Sequence, residues 1–220
     1  MGAMSAAIAS AKPRLRGWIH EVAFFVSVPA GVALVLLAES GPARAAAALY
    51  ALSLTVAFGS SAAYHRVGWS PGALRRMKRL DHSMIFVLIA GSYTPLSVLV
   101  LDGAWSIVML SVVWAGAAAG IALKLTRIDG LHVTTGILYM GLGWLALVAL
   151  PQLVRGMTLP QIALMVLGGA LYTAGAIVFA TKRPDPRPAT FGFHEVWHAF
   201  MVAAAACHFA MIALLLRGAG

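Results

Sequence analysis

Two histidines near the C-terminus, His194 and His198, are separated by one helical turn. This spacing puts both imidazole rings on one face of a helix. Two such rings supply half of a metal site. The segment His194-Glu195-Val196-Trp197-His198 also matches the H-E-x-x-H pattern of zinc proteases. A second, less favoured interpretation is that the two histidines are interfacial and hydrated at the membrane surface.

Three further polar residues lie in or beside apolar segments. Ser61 precedes His65 by one helical turn, and Asp81 lies beside His82. Each has a simpler explanation on its own: an interfacial anchor for His65, a bond from Ser61 to its own helix backbone, and a helix N-terminal acid for Asp81. Ionisable groups within membrane spans are costly, however, and are functional candidates by default.

The composition places these residues in a membrane protein. The chain has 220 residues, of which 61% are hydrophobic and 10% are charged, and its mean hydropathy is +0.88. A soluble domain has about a quarter charged residues. These values exclude an ordinary soluble enzyme, a disordered chain and a fibrous repeat. The single cysteine, Cys207, excludes an intrachain disulfide and a cysteine-rich metal site.

Seven apolar runs are long enough to cross a bilayer, since about 20 residues are needed, and none alternates as a barrel strand would. The sequence therefore predicts an all-α integral membrane protein, with a basic N-terminal segment (1–17) before a seven-helix domain (18–216). The predicted spans are 18–38, 45–65, 82–101, 104–123, 132–151, 159–180 and 194–216.

The basic residues predict the orientation of the bundle. Thirteen of the 16 Lys and Arg residues fall in the N-terminal segment or in connections on the same side of the membrane as the N-terminus. Only Arg44, Arg155 and Arg217 fall on the opposite side of the membrane. This asymmetry predicts a cytoplasmic N-terminus and an outside C-terminus. Orientation explains the net charge of +9 better than nucleic-acid binding does. Five of the basic residues lie in the connection between the second and third spans, where anionic lipid head groups are a second interpretation.

This orientation brings the candidates to one depth. The second span ends, and the third and seventh begin, at the cytoplasmic side, so His65, Asp81, His194 and His198 share one membrane level. Three protein nitrogens and an open position are typical of a catalytic zinc site. Metal ions lower the pKa of bound water. Asp81 could hold or deprotonate that water, and Ser61 could orient it or donate to an oxyanion.

Two other histidines receive simpler interpretations. His20, at the start of the first span with Glu21, is explained by solvation at the interface. His208 is ten residues beyond His198, about 15 Å deeper in a helix, and is too far away to bind the same ion. A polar contact between helices is the favoured interpretation of His208, and a residue lining a substrate cavity is the alternative.

As a combination, these motifs resemble the hemolysin III family, the bacterial branch of the progestin and adipoQ receptor family. The matching segments are Ser61-x3-His65, Arg79-Leu80-Asp81-His82, His194-x3-His198, Trp18-Ile19-His20-Glu21, Gly91-Ser92-Tyr93-Thr94-Pro95 and His208. The resemblance covers roughly residues 16–216.

The resemblance implies a seven-helix fold and a Zn2+ ion held by His65, His194 and His198. It also implies that Asp81 and Ser61 touch the zinc-bound water rather than the metal. Related eukaryotic receptors are thought to hydrolyse ceramide amide bonds, and bacterial members were named for haemolysis attributed to pores. Glu195 is usual in the hemolysin III branch but not in the receptors, so the proton shuttle is either Asp81 or Glu195.

Three functions follow as hypotheses. The first is a zinc-dependent hydrolase of lipid amide or ester bonds, with a membrane lipid as substrate. The second is non-enzymatic: a sensor or receptor stabilised by a structural zinc, or a haemolytic pore-former. The third is an intramembrane metalloprotease that uses the H-E-x-x-H segment.

Overall fold

The structure is a computed structural model that describes residues 12–127 and 132–218. The regular secondary structure of the described residues is helical, apart from one isolated β-bridge between Arg187 and Phe191. The helices are α1 (Trp18–Leu36), α2 (Gly41–Arg66), α3 (Pro71–Leu99), α4 (Ala104–Thr126), α5 (His132–Gly143), α6 (Leu150–Gly156), α7 (Leu159–Thr181) and α8 (Phe193–Gly218), with a 3-10 helix at Trp144–Ala149 between α5 and α6.

The predicted fold class is confirmed, because seven helical spans in the described residues are long and apolar enough to cross a membrane. The fifth of them combines α5, the 3-10 helix and α6. Exposed aliphatic side chains cover the outer faces of the spans, for example Leu36 at 77% and Leu159 at 79% exposure. Surfaces of this kind suit contact with lipid chains. Residues 1–11 of the basic N-terminal segment lie outside the described residues.

Helix α3 begins earlier than the apolar run that predicted it. The helix starts at Pro71, eleven residues before the predicted start at 82. Its first turns carry Arg75, Arg76 and Lys78, which an apolar-run criterion leaves out. Asp81 is consequently inside the helix and buried, and it does not serve as an N-terminal helix acid.

Short-range signals explain where several helices begin. The Ser40 side chain accepts a hydrogen bond from the Ala43 backbone N–H, at 3.3 Å, and caps α2. Thr158 and Gln161 form a reciprocal capping box at the start of α7. Proline occupies the first turn of α2, α3 and α7, where it has no lost hydrogen bond to replace.

The segment Gly91–Pro95 joins α3 to three neighbouring spans. A Cβ on Gly91 would lie 2.1 Å from Ser53 Oγ in α2, so only glycine allows this approach. Thr94 Oγ1 accepts a hydrogen bond from the Trp114 indole of α4, at 3.2 Å. The Tyr93 hydroxyl donates to the Gly143 carbonyl, at 2.9 Å, and accepts from the Ala146 N–H, at 2.7 Å. Tyr93 thus satisfies backbone groups released where the fifth span changes to 3-10 geometry.

Helix α8 packs mainly against α7, and it also touches α1, α2 and α3. Its first turn therefore faces the C-terminal end of α2 and the start of α1. This packing places residues from the two ends of the chain beside each other.

Candidate metal centre

Three histidine rings meet at one end of the bundle. His65 comes from the last turn of α2, and His194 and His198 come from the first turns of α8. The Nε2 atoms of His65 and His194 lie 3.2 Å apart. One ligand atom from each of the three side chains lies within 4.8 Å of the others. The predicted convergence of the three imidazoles is confirmed.

The geometry of this cluster suits a metal ion. Zn–N bonds of about 2.0–2.1 Å in a tetrahedral site require nitrogens about 3.3 Å apart, close to the separation between His65 and His194. His198 is 1% exposed, and neither of its ring nitrogens has a hydrogen-bond partner. Buried nitrogens are ordinarily bonded, and a metal ion would satisfy one of them. Three imidazoles and no thiolate are a donor set that suits zinc.

Asp81 and Ser61 form a second pair beside the cluster. Both are buried, and the Ser61 side chain interacts with the Asp81 carboxyl group. They line one end of a small cavity of about 20 Å³ whose other walls are largely apolar: Ala57, Phe58, Ile85, Leu88, Trp197 and Met201. A cavity of this size holds about one water molecule. Among the described residues, the three-histidine cluster that could hold a metal ion contains no carboxylate.

Glu195 lies on α8 between the two histidines, but its carboxylate has other partners. Oε1 forms a salt bridge with the Arg16 guanidinium, and Oε2 accepts a hydrogen bond from the Gly192 N–H, at 2.8 Å. The side chain is 1% exposed. Glu195 thus ties the first turn of α8 to the segment that precedes α1.

The segment before α1 covers the histidine end of the bundle. Its backbone forms two hydrogen bonds with the α7–α8 connection. The Arg14 N–H donates to the Ala189 carbonyl and the Leu15 N–H donates to the Thr190 carbonyl, each at 3.1 Å. The Lys12 amine donates to the His65 carbonyl. Burial, assisted by the neighbouring Arg16 and Arg66, lowers the pKa of Lys12.

The end of this segment approaches His65 closely. Gly17 has φ +80°, and a Cβ there would lie 2.5 Å from the Cβ of His65. Glycine is therefore required on both counts, by its backbone conformation and by the available space.

His20 is the functional candidate that the sequence analysis misplaced. It is 5% exposed, so interfacial solvation does not describe it. Its Nδ1 is 2.8 Å from Ser61 Oγ, and its ring stacks on His198 with centroids 3.7 Å apart and planes within 8°. The available signal was its position at the start of the first span, at the same predicted depth as His65 and Asp81.

His208 lies away from this cluster. Its Nε2 is 3.4 Å from the Met165 carbonyl of α7, and its ring packs against Gly168, where a Cβ would be 2.3 Å from Cδ2. The favoured prediction of a polar contact between helices is confirmed.

A bundle of seven apolar spans with a cluster of three histidines, two of them buried, defines a polytopic membrane protein with a candidate metal site. The sequence profile of the family described as "Haemolysin-III related" matches residues 8–209. The chain belongs to the hemolysin III family.

Named relatives extend across most of the chain. Hemolysin-3 of Bacillus cereus is 31% identical over 193 residues, covering 86% of this chain and 85% of the relative. The Hemolysin-3 homolog of Bacillus subtilis (strain 168) is 29% identical, covering 86% and 87%. The human monocyte to macrophage differentiation factor is 26% identical over 192 residues, covering 84% and 77%. The similarity thus reaches animal proteins as well as bacterial ones.

Proposed function

We propose that this protein is a zinc-dependent hydrolase of lipid amide or ester bonds, with its site near the cytoplasmic face of the bacterial inner membrane. The observation that carries the proposal is the arrangement of the polar groups. Two buried imidazoles and the half-buried His194 converge near a buried carboxylate and hydroxyl, which line a small cavity with largely apolar walls. This combination fits a hydrolytic site that receives part of a lipid.

His65, His194 and His198 would hold the metal. A bound zinc ion supplies Lewis acidity, which polarises a carbonyl and makes water a better nucleophile at neutral pH. The Asp81 carboxylate would accept the proton of the attacking water and return it to the leaving amine or alcohol. The Ser61 hydroxyl, bonded to Asp81, would hold that carboxylate in place.

Asp81 suits the proton-transfer role better than Glu195 does. The Asp81 side chain lines the cavity, whereas the Glu195 carboxylate is occupied by Arg16 and Gly192. The same contacts weigh against the metalloprotease hypothesis, because the glutamate of an H-E-x-x-H site must act as the general base.

The arrangement also favours a catalytic metal over a structural one. Structural zinc sites normally have four protein ligands. The described residues group three histidines, and Asp81 is not a member of that group. A fourth position is then left for water or substrate. In the non-enzymatic sensor and receptor hypotheses, no substrate would react at this fourth coordination position.

Two relatives carry the name hemolysin, so pore formation remains the second candidate. In the described residues the buried histidine, acidic and lysine side chains lie at one end of the bundle, and the cavity beside Asp81 is about 20 Å³. These features favour a small reaction site over a wide channel through one copy of the chain. Solute release from liposomes would support the pore instead.

We further propose that the basic first turns of α3 contact anionic lipid head groups. Arg75 and Arg76 are exposed, and Leu74 on the same segment is 42% exposed. Basic side chains next to apolar ones suit the interface of an anionic leaflet. The distribution of the 16 basic residues supports a cytoplasmic location for this surface.

The test is hydrolysis by zinc-loaded protein in lipid nanodiscs. Fluorescently tagged long-chain N-acyl amides and O-acyl esters serve as probes, and wild type is compared with His198→Ala and Asp81→Asn. The matched control is His208→Gln, a histidine change on the same helix outside the cluster. Turnover in wild type and the control, but in neither site variant, supports the proposal. No turnover of any probe, or equal turnover in Asp81→Asn, contradicts it.

A further inference from the structure

Several features of His20 are not explained by its position near the start of a span. The ring is buried, and it stacks on His198. Its Nδ1 is hydrogen-bonded to Ser61 Oγ, at 2.8 Å. Its Nε2 is buried without a hydrogen-bond partner. The residue also lines the small cavity together with Ser61 and Asp81. Packing alone explains the stacking but not the bond to Ser61.

When Asp81 is ionised, the donors and acceptors of the three side chains favour one direction for the bond between His20 and Ser61. A serine hydroxyl has one proton to donate and two lone pairs that accept, while an ionised carboxylate only accepts. Ser61 interacts with Asp81, and we infer that the serine proton points to the Asp81 carboxylate. Ser61 Oγ then accepts from His20, so the proton of the His20 ring is on Nδ1. Nε2 is left as a bare acceptor.

A bare, buried acceptor needs a donor. Leaving such a nitrogen unsatisfied is energetically unfavourable. The adjoining cavity, at about 20 Å³, has room for about one water molecule or a small group of a substrate. Either a water O–H or a substrate N–H or O–H would satisfy Nε2 there.

We propose that His20 is a positioning residue of the site: Nδ1–H holds Ser61 so that its hydroxyl faces Asp81, and Nε2 accepts a hydrogen bond from the group in the cavity. This inference deepens the proposed hydrolase function. The chain His20–Ser61–Asp81 links α1, α2 and α3 at the level of the histidine triad. This chain would fix the position of the proton-transfer group on α3 relative to the proposed metal ligands on α2 and α8.

Nitrogen-15 NMR of histidine-labelled, zinc-loaded protein in nanodiscs tests the first half of this inference without any turnover. The His20 signals are assigned by their absence from His20→Phe. We expect the proton on Nδ1, and we expect Ser61→Ala to shift that resonance. A proton on Nε2 overturns the proposal. Because this readout is independent of hydrolysis, it separates failure of this inference from failure of the proposed function.

Two substitutions test the second half with the same tagged amide and ester probes. His20→Phe keeps a ring against His198 but removes both hydrogen bonds, and we expect kcat to fall about 100-fold with KM unchanged. His20→Asn retains an amide donor near the Nδ1 position, and we expect partial rescue. Zinc content equal to wild type in both variants confirms that the metal site is intact. Wild-type kcat in His20→Phe, or no rescue in His20→Asn, contradicts the positioning role.

Discussion

The Nε2 atoms of His65 and His194 lie 3.2 Å apart, although 129 residues separate the two histidines in the chain. The contact joins the end of α2 to the beginning of α8. Two imidazoles at this distance either share one proton or bind a common cation. The proximity of His198 and its unpartnered nitrogens favour the cation.

Asp81→Asn tests whether Asp81 takes part in catalysis or in metal binding. Because Asp81 lies outside the three-histidine cluster, we expect the variant to retain zinc. Its hydrolytic rate should fall by about 10²–10⁴-fold, the usual contribution of a positioned general acid or base. Metal content and turnover measured on the same preparation check this. Loss of zinc from Asp81→Asn would instead make the carboxylate a fourth protein ligand and favour a structural metal.

The ion pair between Arg16 and Glu195 is expected to stabilise the fold rather than to perform chemistry. Glu195→Gln removes the charged partner of the Arg16 guanidinium, whose side chain is 19% exposed, and we expect this to cost about 1–3 kcal/mol. We therefore expect lower thermal stability for Glu195→Gln and for Arg16→Met. The double variant should be less destabilised than the sum of the two, as expected for contacting residues.

Activity assays decide between this view and the protease hypothesis. Below its unfolding temperature, Glu195→Gln should retain most of its lipid hydrolysis. Cleavage of a membrane-embedded peptide by wild type, abolished by Glu195→Gln without any loss of thermal stability, would overturn the structural role.

The close approach of α3 to α2 is testable at Gly91. In Gly91→Ala the new Cβ would lie 2.1 Å from Ser53 Oγ and 2.7 Å from Ser53 Cβ, and overpacking of this kind costs about 1–3 kcal/mol. The matched control is Gly169→Ala, since no heavy atom lies within 4 Å of the corresponding position. Thermal unfolding in one detergent should show a lower midpoint for Gly91→Ala alone. Equal midpoints would contradict this prediction, because they would show that α2 and α3 can move apart with little loss of stability.

Much of this architecture could be predicted from the sequence because membrane spans follow from the length of apolar runs. The histidine triad followed from helical spacing at His194 and His198 combined with the common depth of His65. The beginning of α3 at Pro71 was not predictable in this way, since its first turns are basic and continue the helix outside the apolar run.

The parts of the site that the sequence did not predict depend on tertiary contacts. Glu195 meets Arg16 across 179 residues, and His20 meets Ser61 across 41. No local pattern of residue types encodes either pairing. Without the packing of α1 against α2 and α8, both side chains have simpler explanations at a hydrated interface.

Zinc content per chain, measured on purified wild type beside His65→Ala and His198→Ala, tests the central claim most directly. His208→Gln, outside the cluster, is the control. The account predicts one zinc per chain in wild type and in the control, and loss of most of it in both cluster variants. Wild type that binds no zinc after loading, or cluster variants that bind it as tightly as wild type, would contradict the account.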